Sequence, residues 1–169
     1  MTLALDGAGA AGAVGAGGTT INLTLGTIST SNANDVIVVD VLGTTPNASG
    51  ANTAVTGIVG GAGIGTFTKK QSIQYHVGFS TAFVDLERWW AVAAAPLSAK
   101  DITATFSATL DSASMIAFAV SGADTTTPFD VNANASKQAF DTTSSAVSVA
   151  GQSTTNSNTM LISSYGSSH

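Results

Sequence analysis

No cysteine occurs in the 169 residues. That removes any disulfide framework and any thiolate site, and it fits a chain folded in a reducing cytosol. Charge is scarce as well: Asp, Glu, Lys and Arg make up 9%, against roughly 25% in ordinary soluble domains. Glu87 is the sole Glu and Arg88 the sole Arg, and the stretches 7–34, 41–68 and 142–168 carry no charge. A net charge of −5 with only five basic residues argues against a nucleic-acid partner, which needs clustered Lys and Arg to displace counterions. Lys69-Lys70 is the one adjacent basic pair. No apolar run approaches the ~20 residues of a membrane helix. Near the N-terminus Asp6 is the only charge and a Gly/Ala tract follows, so a secretory signal is not expected.

Helix formers are thin too. Glu, Lys, Leu and Gln are few, and no apolar period of 3.6 persists over three turns. What the chain has instead is Thr, Ser, Asn, Ala and Val. A Thr/Ser/Asn surface is wettable and easily desolvated, which suits a subunit that meets neighbours. Apolar residues at 44% are enough for a real core in one domain.

Residues 7–18, GAGAAGAVGAGG, are half glycine and read as a flexible arm or as an arm that orders against another subunit. We set the arm at 1–20 and a single domain at 21–169. INLTLGTI (21–28) alternates with period two, and VIVVDVL (36–42) is β-branched on both faces, as in a central strand. Further strands are expected at 53–59, 65–73, 81–95 (stopped by Pro96), 101–110, 114–122, 145–153 and 159–165. GGAGIG (60–65) reads as a hairpin turn. About nine or ten strands with Gly, Asn and Asp turns predict an all-β, two-sheet antiparallel β-sandwich of jelly-roll or immunoglobulin-like type. NAND (32–35) and NSN (156–158) are the same turn chemistry, each launching a strand.

Reactive constellations are few. His76 and His169 have no partner spacing for zinc, and no serine sits in G-x-S-x-G. No metal and no cofactor is expected. Asp85 and Glu87 share one face of a strand about 6.5–7 Å apart, a distance open to acid–base work on a sugar. Asp124 and Asp130 in GADTTTPFD offer calcium two carboxylates but lack the spacing of a calcium loop; a Pro-fixed turn capped by Asp is the better reading. Alternation puts Trp90 with Leu86 and Val92 toward the core and leaves Trp89, beside Glu87 and Ala91, partly exposed. Arg88 falls on the Trp90 side, an odd place for a charge.

The strings LERWWAVAAAPLSAKDITATFS and AFAVSGADTTTPFD resemble a β-sandwich module that recurs in phage virion proteins and bacterial surface proteins. The matching segments are Asn32–Val41, Val55–Lys69, Leu86–Ala93, Ile102–Ser107 and Ser121–Asp130, most of the chain. Arg88 departs from the module's usual apolar residue. The resemblance implies architecture and attachment, with no catalytic residues to carry over. The reading is therefore a non-enzymatic phage virion structural protein, a head decoration or accessory subunit assembled in the host cytoplasm. Its expected partners are other virion proteins (major capsid or tail subunits) and further copies of itself. The alternative is a carbohydrate-binding or tail-associated adhesin module that meets surface glycans. Candidate interface or glycan contacts are Glu87, Trp89, Val14, Met160 and Tyr165. An enzymatic reading rests on Asp85 and Glu87 alone.

Overall fold

The computed structural model of the chain describes residues 2–8, 12–14, 21–45, 54–76, 83–132 and 148–164. Among them there is no helix. The strands are β1 (Ala4–Ala8), β2 (Gly12–Val14), β3 (Asn22–Ile28), β4 (Asp35–Thr44), β5 (Val55–Gly60), β6 (Thr68–His76), β7 (Phe83–Ala93), β8 (Lys100–Phe106) and β9 (Ser112–Ser121).

These nine segments fill eight positions in two antiparallel sheets. The large sheet runs β1-β9-β4-β7-β6, and β2 shares the edge position with β1. β1 pairs with residues 118–121 of β9 and β2 with 113–115, end to end. The small sheet runs β3-β8-β5. Ile37, Val39, Trp89, Met115 and Ala117 of the large sheet join Leu25, Ile58, Ile102 and Phe106 of the small one in a single core. Two layers around one core are consistent with a β-sandwich.

Strand character follows position. β4 lies between β7 and β9, and seven successive residues from Asp35 to Val41 are buried; β-branched side chains suit a strand covered on both faces. In the small sheet, β3 and β8 bury alternate residues and show the others to solvent. Asn34, at the NAND turn, takes a φ of 63°, the left-handed conformation Asn tolerates.

Three expectations change. GGAGIG is not a hairpin turn: β5 pairs with β8 and β6 with β7, so the segment carries the chain from the small sheet to the large one. Gly63 turns it at φ 100°, a conformation glycine adopts without strain. The expected N-terminal arm is in part a sheet edge, because β1 and β2 both pair with β9. Gly7 permits this: a Cβ there would lie 2.1 Å from the Ser29 carbonyl oxygen, so only a bare backbone passes. Residues 1, 9–11 and 15–20 of the arm lie outside the described residues.

The expected strands at 145–153 and 159–165 are absent over 148–164; residues 145–147 and 165 lie outside the described set. In the last segment Met160 and Ile162 are half-buried and Leu161 is exposed. The segment lies over the outer face of the large sheet, where its backbone has no ladder to join. Side chains hold it instead. Arg88 donates from Nη1 to the Ile162 carbonyl (3.2 Å) and from Nη2 to Ser164 Oγ (3.1 Å), and Asp130 accepts from the Thr155 amide at 2.8 Å.

Candidate functional site

β7 carries the residues singled out in the sequence, and its alternation sorts them the opposite way from expectation. Asp85, Glu87, Trp89, Ala91 and Ala93 point into the core; Leu86, Arg88, Trp90 and Val92 point outward and are half-buried. Trp89 is therefore a core residue and not an exposed platform, and Glu87 is 1% exposed. Periodicity could not separate the two faces because both are covered. Phe129, from the loop after β9, meets Trp90 edge to face, with ring centroids 6.2 Å apart.

Inside, Glu87 is saturated with donors. Its Oε1 accepts from the Val55 amide of the small sheet at 3.0 Å, and its Oε2 from Trp89 Nε1 at 2.7 Å. Lys69 of β6 reaches Oε2 at 2.7 Å and lies 5.1 Å from the centroid of the Trp89 ring. β6 bulges between Lys69 and Gln71. A bulge re-aims neighbouring side chains, here Lys69 inward and Lys70 outward, 5.1 Å from the centroid of the Phe129 ring.

Asp85, beside Glu87, has no hydrogen-bond donor on either carboxyl oxygen. Burial first, then the Glu87 carboxyl, raises its pKa to about 7. An acid without donors next to a saturated carboxylate is stable when it brings its own proton. This pair has the proton inventory of a general acid but is shut off from solvent, with Asp85 4% and Glu87 1% exposed.

On the outer face, Arg88 forms a two-pronged ion pair with its cross-strand partner Asp40, at 2.7 Å from Nε and 2.8 Å from Nη2. Asp40 is 5% exposed. The odd charge of the sequence is thus the anchor of the C-terminal segment. The clue was present, since the one arginine and an aspartate inside a valine strand are both off-pattern, but nothing in the sequence registered them opposite each other.

Asp124 and Asp130 serve as turn caps. Asp124 Oδ1 accepts from the amides of Thr126 (2.7 Å) and Thr127 (3.0 Å), and Asp130 accepts from Asn132, Thr155 and Asn156. The backbone donors, Thr127 first for Asp124 and Asn132 first for Asp130, hold both carboxyls below the usual range. Among the described residues no three His, Cys, Asp or Glu side chains gather as metal ligands. A cavity of about 230 Å³ lies between the outer face of the large sheet, at Val36, Val38 and Val120, and the covering segments, at Phe129, Met160 and Ile162.

The other candidate contacts scatter. Val14 sits in β2 opposite Ala113, Met160 lines the cavity, and Tyr165 lies outside the described residues. No single site gathers Glu87, Trp89, Val14 and Met160. No family model matches the chain, and no curated protein or solved structure matches it either.

Proposed function

We propose that the chain is a non-enzymatic structural subunit of a phage particle, a head decoration or accessory protein, and that it attaches through its small sheet. The observation that carries this is the character of that sheet. β3 and β5 form its two edges, neither carries a charged residue, and among the described residues neither edge pairs with another strand. Free-standing proteins usually guard such edges with Lys, Pro or a bulge; here each edge is bulged, β3 between Leu25 and Ile28 and β5 between Val55 and Gly57, but neither strand carries Lys or Pro. The outer face is a polar lattice: Thr24 and Thr103 share a hydrogen bond at 2.9 Å, Thr105 donates to Asn22 at 2.9 Å, and Thr56 donates to the Thr105 carbonyl. Val59 stands 66% exposed on β5. Uncharged hydroxyls cost less to desolvate than charged groups, and the free N–H and C=O groups of an edge strand can pair with an added strand, so the surface suits permanent neighbours.

The chemistry that would favour an enzyme is turned inward and sealed in the core. The adhesin reading loses its stacking residue, because Trp89 is buried. The phage assignment itself rests on the resemblance of Asn32–Val41, Leu86–Ala93 and Ser121–Asp130 to virion modules. The test is to purify particles on a density gradient from a lysate in which the chain is naturally made. The chain should band with the particles at a fixed ratio to the major capsid subunit. Recovery in the soluble fraction alone would overturn the proposal.

A further inference from the structure

A second pair of carboxyl groups sits at the opposite end of the large sheet, and it has the same build as Asp85 with Glu87. Asp35 opens β4 opposite Ala93, whereas Asp85 lies opposite Gly43 near the end of β4. Asp35 is fully buried, and neither of its carboxyl oxygens meets a donor. The group it touches is the carboxyl of Asp6. Asp6 occupies a bulge in β1, since the register with β9 slips between Leu5 and Gly7, and the bulge aims it at the turn before β4. There its Oδ2 accepts from the amides of Ser31 and Asn32, each at 2.8 Å. Asp6 is thus satisfied as an anion, and Asp35 is left with an anion for a neighbour. As two carboxylates they repel in a buried place; with one proton between them they make a strong hydrogen bond.

We propose that Asp35 carries a proton shared with Asp6, and that this proton is the clasp that holds β1 against the edge of β9. Loss of the proton puts a second negative charge into a cluster with nothing to neutralise it. Among the described residues Asp6 is the only charged group acting on Asp35; β7 presents Ala93 opposite it, and the turn presents the Thr30 hydroxyl nearby, which opposes the upward shift only in part. Burial, then Asp6, raises the Asp35 pKa to about 7, while contact with Asp35, then the Asn32 amide, lowers that of Asp6. Asp6 is the half of the pair that can leave, because β1 is an edge strand and β4 is central. The clasp therefore opens as pH rises, uncovering the edge of β9 on the same end of the sheet.

The linkage fixes the sign. The closed form binds one proton more than the open form between the ordinary aspartate value and about 7, so opening becomes about tenfold easier per pH unit through that interval and levels off above it. Amide exchange on the full chain reads this directly. Protection factors at the β1–β9 pairs, Leu5 with Val120 and Gly7 with Ala119, should fall by about a hundredfold from pH 5 to pH 7, while those between β5 and β8 fall far less. Asp35→Asn supplies a permanent N–H donor to Asp6 and should keep β1 closed with little pH dependence. Carboxyl carbon NMR on the unaltered chain covers the case in which that variant does not fold: Asp35 should titrate near 7. An Asp35 titrating near 4, or β1 protection independent of pH in the unaltered chain, would overturn the proposal. So would a calcium-induced shift of the Asp6 and Asp35 carbons at neutral pH, which would make the pair a cation site.

Discussion

The two sheets divide the chain's chemistry unequally. The large sheet holds Asp6, Asp35, Asp40, Lys69, Lys70, Asp85, Glu87 and Arg88, whereas the small sheet holds only Lys100 and Asp101, at the first two positions of β8. Every carboxylate of the large sheet's strands meets another carboxyl, a cation or backbone amides. Its outer face is further covered by the loop after β9 and the C-terminal segment. Among the described residues nothing covers the outward threonines of the small sheet, and they carry no charge. Among the described residues the larger layer is covered on both faces, and the smaller one is the surface proposed for attachment.

If that division is right, the large sheet fails first when its internal pairs are broken. Glu87→Ala should have the largest effect, because it leaves the Val55 amide, the Trp89 indole N–H and Lys69 without their shared acceptor. A loss of about 3–5 kcal/mol is expected from breaking a buried charged pair, read as a lower urea midpoint. Arg88→Met keeps most of the volume but strands Asp40, and the loss should be about 3 kcal/mol, the low end of the same range. In that variant the Ile162 and Ser164 contacts go as well, so the C-terminal segment should become cleavable by protease while the core persists. A normal midpoint with a loosened segment would show that Asp40 is relieved by water.

The pH dependence sharpens the comparison further. Asp35 and Asp85 are both raised to about 7 from 3.8. The folded state therefore holds protons that the unfolded chain gives up, and their contribution is fully present below about pH 4 and lost as pH rises to about 7. The melting temperature should fall from pH 5 to pH 8. The lowered groups Asp6, Asp124 and Asp130 act the other way, losing their contribution only in stronger acid. Asp85→Asn should flatten part of the slope; an unchanged slope would place the proton elsewhere.

Much of the fold was legible. Period two in 21–28 and a β-branched run in 36–42 gave an outer and a central strand, and Asn34 turned where its chemistry allows. Yet NAND and NSN, alike in sequence, lead to different ends: one opens β4 inside a ladder, the other a segment held by Arg88 and Asp130. The turn sets how a segment starts. Whether it pairs depends on which neighbours lie beside it, and that is not written locally. The same limit reversed Trp89 and Trp90, because a strand covered on both faces has no polar side to betray its direction. The arm misled for another reason: Gly has no side chain and Ala only a methyl group to announce a strand, but the bare backbone of Gly7 is what passes Ser29. The carboxyl pairs, between residues 29 positions apart in one case and adjacent on a face in the other, needed the fold to show that one member of each lacks a donor.

The smallest expected change in stability accompanies the largest expected change in assembly. Thr103→Lys alters one hydroxyl pair on the small sheet, worth about 0.2–1 kcal/mol, and places a charge in the middle of the surface proposed for attachment. Particles stripped of the chain should be supplied with the unaltered or the Thr103→Lys protein, sedimented, and the bound fraction measured. Binding by the unaltered protein and at least a tenfold loss for the variant, with the melting temperature nearly unchanged, is the predicted result. Equal binding of the two would contradict attachment through the small sheet.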